Sequence, residues 1–313
     1  MTDAVAASAS ASASAFKAEE SGAYDEAADR FAALSERYSG DLARRLVELA
    51  GLAPGERVLD VGTGAGLLAA AAAPRAGRVL GIDISAALLD RARGIADARG
   101  LGGHVEYRLM DAEALTLEDA SFDAAVSLFA LLHLPDPLRA LQEMRRVLRP
   151  GGRLVVGVGS GAPVSLAGLA HRAGRLGALW QERRGRRLVA PGSLESLLTR
   201  RLGHDEGASA HWQEHAREHG AAGLARLVGD AGFADVQSSW QGRDLEVATA
   251  SEFWDLQRTF SSRARRRLAD VPPALLEELR REMEAESAAV LARGGRLVYP
   301  QGVLFVRARR PER

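Results

Sequence analysis

Residues 58–68 read VLDVGTGAGLL. The run Arg57 to Val61 is apolar and bounded by turn residues, so it predicts a buried strand. Gly62, Gly64 and Gly66 then predict a tight turn, and a helix starts at Leu67. Glycine lets the backbone turn sharply and lets a ligand approach it closely. The helix that follows offers backbone N–H groups that have no partner within the helix. A ligand is therefore expected on this turn, at the carboxyl end of a first strand. The dinucleotide fingerprint has the spacing G-x-G-x-x-G. Here it is G-x-G-x-G, and Leu67 stands where the third glycine would be. Asp60, two residues before Gly62, would repel a pyrophosphate and attract an ammonium group. The turn suits a positively charged zwitterion better than a dinucleotide.

The following segments repeat the strand–helix plan. A second strand, Arg78 to Ile84, carries Asp83 at its end, 21 residues after Gly62. An acidic residue at that distance is placed to accept hydrogen bonds from ribose hydroxyls. Asp83 could instead cap the next helix, but Ser85 is the better-placed cap. A third strand, Val105 to Leu109, leads to Asp111 and Ala112. The fourth opens at Phe122 and runs through DAAVSLFALLHL, apolar enough to be buried on both faces. Its carboxyl end, Ser127 to Leu134, is expected to line the reaction side of the pocket. His133 is the one titratable side chain there: a general base on one reading, a packed loop histidine on the other. A helix from Pro137 to Leu148, a fifth strand (GRLVVGVGS), a sixth (Ala234 to Trp240) and a seventh (Gly302 to Arg307) complete an α/β, doubly wound sheet.

The segment D-V-G-T-G-A-G (Asp60–Gly66) resembles motif I of the class I S-adenosylmethionine (SAM) methyltransferases. Asp83, Asp111–Ala112, Ser127–His133 and the L-R-P-G-G run at Leu148–Gly152 follow in the family's order. The resemblance runs from about residue 20 to the end. It covers the broad group that includes ubiquinone/menaquinone biosynthesis enzymes and many natural-product methyltransferases. It implies a Rossmann-like seven-stranded sheet whose last strand is antiparallel beside the sixth. It implies SAM as cofactor and S-adenosyl-L-homocysteine as product. The cofactor would lie among Asp60, Gly62, Thr63, Gly64, Gly66, Asp83 and Ile84. Asp111 would accept from the adenine amino group, and the Ala112 N–H would donate to the ring. A backbone carbonyl at Ser127 or Leu128 would hold the amino group. In this family a helix before motif I often covers the cofactor, which makes residues 16–52 a candidate lid with Tyr38 facing the site. No N-P-P-Y-type motif is present, which favours a small-molecule oxygen or carbon acceptor.

Composition narrows the classes further. Formal net charge is 0, so no global field points to nucleic acid or an anionic membrane. With no cysteine there is no disulfide, thiol nucleophile or cysteine metal site. Lys17 is the only lysine, read as a mark of a GC-rich genome. No apolar run approaches a membrane span, and the N-terminus lacks a signal-peptide pattern, so the chain is expected in the cytoplasm. Residues 1–15, Ala/Ser-rich, are expected to be disordered. Two helical insertions, 161–219 and 243–296, are expected to cap the pocket and suit a small, apolar acceptor. Phe253 and Trp254 are the candidate pocket walls. His211, His215 and His219 share a helical face with Glu214 and Glu218, read as a solvated face rather than a metal site. His171 and His204 are read as structural. The basic clusters Arg183–Arg187 and Arg263–Arg267 lack the interleaved aromatics of a nucleic-acid surface. The sequence leaves the oligomeric state open. The expected activity is methyl transfer to oxygen or carbon of a small molecule. Alternatives are a SAM-binding fold that catalyses a non-methylating reaction such as cyclisation, a non-catalytic SAM-binding partner of another subunit, and an NAD-dependent reductase. Leu67 and Asp60 disfavour the last.

Overall fold

The structure is a computed structural model, and it describes residues 2–160, 194–204 and 221–312. His171, Arg183–Arg187, His211, Trp212, Glu214, His215, Glu218 and His219 lie outside the described residues.

Strand β1 (Arg57–Val61) pairs in parallel with β2 (Arg78–Asp83) on one side and β4 (Phe122–Leu128) on the other. Strand β3 (Val105–Leu109) pairs in parallel with β2, and β5 (Leu148–Gly159) with β4. Four of the five residues of β1 are buried, as a central parallel strand covered on both faces requires. With β6 (Ala234–Val247) and β7 (Leu297–Arg309) the sheet has seven strands in the order β3-β2-β1-β4-β5-β7-β6. Strand β7 is antiparallel to β5: Gly151 N–H donates to the Arg310 carbonyl, and Ser160 N–H to that of Gly302. As one strand advances, the other recedes. This is the Rossmann-like seven-stranded sheet, its last strand antiparallel, that the resemblance implies.

Strands β6 and β7 are longer than the sequence pattern indicates. Strand β6 is a sheet edge, and most of its residues are only partly buried or exposed. Gln241, Arg243, Asp244 and Glu246 therefore hide its second half from a hydrophobic pattern. A side-chain pair marks the extension: Arg243 Nε donates to Gln301 Oε1 at 2.9 Å.

The chain divides into two compact units, residues 1–158, 219–239 and 304–313, and residues 159–218 and 240–303. In the first, helix α1 (Thr2–Ala50) packs on α2 (Leu67–Ala72) and α3 (Ala86–Ala98). Helix α1 takes in the Ala/Ser stretch, where the sequence reading expects disorder. Alanine has the highest helix propensity, which favours continuation. Its C-terminal part buries Leu42, Ala43, Leu46, Val47 and Ala50, one stripe at helical spacing. Gly51 ends it in the left-handed conformation. Helix α4 (Pro137–Val147) starts on Asp136, whose side chain accepts from Arg139 N–H, and buries Ala140, Leu141, Met144 and Val147.

The second unit contains α5 (Leu194–Leu202), α7 (Ala250–Phe260), α8 (Ser262–Ala269) and α9 (Pro273–Ala292). Helix α6 (Ala221–Asp230) belongs to the first unit and packs on α4. In the second, Leu197, Leu198, Trp254, Leu256, Leu279 and Met283 are buried. Gln257 Oε1 accepts from Leu194 N–H. No helix among the described residues is long and apolar enough to cross a membrane.

Candidate functional site

The glycine turn is held to β2 from below. Gly62 N–H and Thr63 N–H both donate to the Ile82 carbonyl at 2.9 Å. Gly62, Gly64 and Gly66 have φ of 69°, 55° and 81°, a region costly to any residue with a Cβ. A Cβ on Gly62 would lie 2.1 Å from that of Ala130, so the turn sits directly against the end of β4.

Asp60 is fully buried beneath this turn. Thr63 Oγ1 donates to its Oδ2 at 2.7 Å, whereas Oδ1 has no hydrogen-bond partner. Burial, with a smaller contribution from the Asp83 charge, pushes the Asp60 carboxyl up to about 7, against the pull of the Thr63 hydroxyl. A buried oxygen without a partner is costly and uncommon. An incoming ammonium group would satisfy it.

Asp83 ends β2 half-buried. Its Oδ2 accepts from Gly64 N–H at 2.8 Å and its Oδ1 from Ser85 N–H at 3.0 Å. The carboxylate thus ties the glycine turn to the second strand and keeps one lone pair on each oxygen. Ser85 caps α3 by accepting from Leu88 N–H. Burial raises the Asp83 pKa against those backbone bonds. Met110 N–H donates to the Asp83 carbonyl, which brings the ends of β2 and β3 together and sets Asp111 and Ala112 next to Asp83.

At the end of β4, Ser127 is buried and its Oγ has no partner. Leu128 is half-buried. Phe129, which sequence reasoning missed, has φ of 66°. A left-handed bulky residue is rare and marks a turn under strain. Its N–H donates to the Gly157 carbonyl at 2.7 Å. The chain then makes a single 3-10 turn, Leu131–His133. The His133 ring meets Tyr24 edge-on, with centroids 6.4 Å apart.

Tyr24 belongs to α1, and α1 touches nearly every part of this region. Lys17 Nζ lies 2.7 Å from Asp111 Oδ2 and 2.5 Å from Glu113 Oε2. Ser21 Oγ donates to the Ile84 carbonyl at 2.9 Å. Asp25 Oδ1 accepts from Ser85 Oγ. The Phe31 ring is the nearest group to a Cβ built on Gly64. Tyr38 lies about 21 Å further along the helix than Tyr24, at 1.5 Å per residue. It is buried there with Arg37 over its ring. The aromatic residues of α1 that meet the site are Tyr24 and Phe31. Sequence offered one signal for this face, the isolated lysine. Phe253 and Trp254 are buried in the helical packing of the second unit, Trp254 with Arg258 over its ring. Among the described residues, no group of three His, Cys, Asp or Glu could hold a metal ion.

Residues 59–156 match a family described as a methyltransferase domain. Over 116 residues the chain is 40% identical to a ubiquinone/menaquinone biosynthesis C-methyltransferase of Hydrogenovibrio crunogenus, covering 36% of this chain and 46% of that protein. Over 144 residues it is 33% identical to the aklanonic acid methyltransferase of Streptomyces sp. strain C5, covering 45% and 65%. The chain spans less than half the length of several curated relatives that it matches. Among solved structures, the (4+2)-cyclase SpnF shares the fold with a TM-score of 0.50 and 24% identity, over 88% of this chain and 82% of that one. The matched segment is a methyltransferase domain, and the seven-stranded sheet that carries it has the fold of the class I SAM-dependent methyltransferases.

Proposed function

We propose that this protein transfers a methyl group from SAM to oxygen or carbon of a small, apolar organic acceptor. The observation that carries the reading is the buried, half-partnered Asp60 under a left-handed glycine turn, with Asp83 and Asp111 following at the adjoining strand ends. The residues fit the cofactor: Asp60 Oδ1 suits an ammonium, the Asp83 lone pairs suit ribose hydroxyls, and Asp111 with the Ala112 N–H suits an adenine edge. Ser127 and Leu128 offer a carbonyl to the amino group, and Gly62, Thr63, Gly64 and Gly66 let the backbone come close.

When bound, SAM supplies an electrophilic sulfonium methyl. The chain's own task is to hold the acceptor in line and to keep water out. A hydroxyl or an acidic carbon also has to lose a proton, and His133 is the candidate to take it. His133→Ala is then expected to slow transfer about 100-fold while SAM affinity stays within a factor of two. Equal turnover in the variant removes His133 from the chemistry. Asp83→Asn, which keeps one acceptor oxygen, is expected to weaken SAM by about 1–3 kcal/mol. Calorimetric titration checks this, and unchanged affinity would mean the ribose lies elsewhere.

The acceptor itself is best found by incubating the protein with methyl-labelled SAM and fractionated extract of the source cells. Label in the apolar small-molecule fraction supports the reading. Label in protein or RNA overturns the acceptor class. Tight SAM binding without transfer favours a non-methylating reaction such as cyclisation.

A further inference from the structure

Lys17 and Glu113 have no part in the cofactor reading above, yet they determine how Asp111 is held. Asp111 Oδ1 accepts from Glu113 N–H at 2.9 Å, and its Oδ2 meets Lys17 Nζ at 2.7 Å. Lys17 also meets Glu113 Oε2, and the other Glu113 oxygen accepts from Asp136 N–H at 2.8 Å. The Glu113 carbonyl accepts from Arg139 Nε at 2.8 Å. Glu113 is itself buried. It therefore links three segments, α1, the turn after β3 and the start of α4.

The electrostatics are one-sided. One ammonium faces two carboxylates. Burial disfavours the Lys17 charge, but the hydrogen bonds to Asp111 and Glu113 outweigh it and raise its pKa. The ammonium lies against one Asp111 oxygen, and the Glu113 N–H holds the other and fixes the carboxylate plane. Each Asp111 oxygen keeps a lone pair for one more donor. An exocyclic purine amine can be that donor. An oxo group at the same ring position cannot, and it would bring lone pairs against a fixed anion.

We propose that Lys17 and Glu113 are positioning residues that make Asp111 a discriminating acceptor, selecting a 6-aminopurine nucleoside over a 6-oxopurine one. Helix α1 then contributes to cofactor specificity through one side chain. The inference rests on the cofactor reading of this site.

The test compares S-adenosylhomocysteine with S-inosylhomocysteine by calorimetric titration on the full chain. Wild type is expected to favour the adenine compound by about 100-fold or more, since a site built around a hydrogen bond rejects the analogue that lacks it. Lys17→Met and Glu113→Gln are expected to cut that ratio to below about tenfold, and Lys17→Arg to keep most of it. Ser21→Ala removes another tether of α1, to the Ile84 carbonyl, and is expected to leave the ratio unchanged. If Lys17→Met does not fold, judged by circular dichroism, Glu113→Gln decides. A wild-type ratio that both variants retain overturns the proposal, as does an equal loss in Ser21→Ala, which would reflect helix docking alone. Failure of wild type to bind either compound instead overturns the cofactor reading on which the inference rests.

Discussion

Asp60→Asn is expected to weaken SAM binding roughly a hundredfold and to flatten its dependence on pH. The factor follows from the cost of leaving a desolvated charge unpaired, about 3–5 kcal/mol, less what the neutral amide recovers. The pH dependence follows from burial. In the free protein the carboxyl titrates at about 7. Below that value it holds a proton, which it must lose to pair with an ammonium. Affinity should therefore fall about tenfold per pH unit below 7, level off above it, and release a proton on binding. Calorimetry in buffers of different ionisation enthalpy reads that proton directly. A flat affinity between pH 5.5 and 8 in wild type would sink the assignment.

The same carboxyl acts on stability with the opposite sign. Its pKa is about 7 when folded and near 3.8 when unfolded. Between those values the native state holds a proton that the unfolded chain has released. The free protein thus loses stability as pH rises from about 4 to 7, by up to about 4 kcal/mol at 1.36 kcal/mol per unit. Asp60→Asn removes that slope, so at pH 8 the variant should melt higher than wild type while binding SAM worse. A group that only shapes the turn would move both quantities the same way.

The part of this site legible in sequence is the part set by short-range geometry. Gly62, Gly64 and Gly66 announce positive φ, and Asp60 lies within three residues of the Thr63 that bonds it. Asp83 and Asp111 are found by counting along alternating strands and helices, because parallel pairing puts all these ends on one edge of the sheet. What escaped depends on long-range register. Lys17 meets Asp111 across 94 residues, and Ser21 meets Ile84 across 63. No periodicity in α1 reveals which turn of a 49-residue helix crosses the site. Tyr38 was the aromatic of α1 nearest the motif along the chain, whereas Tyr24 and Phe31 are the α1 aromatics that reach the site in space. Phe129 escaped for another reason, since a strained φ on a bulky residue leaves no mark in composition. The second half of β6 was hidden because an edge strand needs no apolar alternation, and the start of β7, whose Gln301 bonds Arg243 of β6, was missed with it.

Gly62→Ala is the substitution expected to damage the fold most. Two penalties add at one atom. The φ of 69° is costly for any residue with a Cβ, about 1–2 kcal/mol. The new methyl would also sit 2.1 Å from the Ala130 Cβ and 3.6 Å from its Cα. Ala130 has no rotamer to swing aside, so the backbone must shift, at about 1–3 kcal/mol for overpacking. The total of about 2–5 kcal/mol is a large share of a domain's stability. The segment forced to move joins the strained Phe129 to His133, so transfer should fall further than stability alone explains. Gly64→Ala is the control. Its φ is similar at 55°, but its Cβ would meet only the edge of the Phe31 ring, 3.2 Å away, which can tilt. It should carry the backbone strain with little of the overpacking. Ala130→Gly in the Gly62→Ala background should recover the overpacking and leave the strain, a coupling that a double-mutant cycle measures by chemical denaturation. If Ala130→Gly restores nothing, the closeness of turn and strand end is not what requires glycine at position 62.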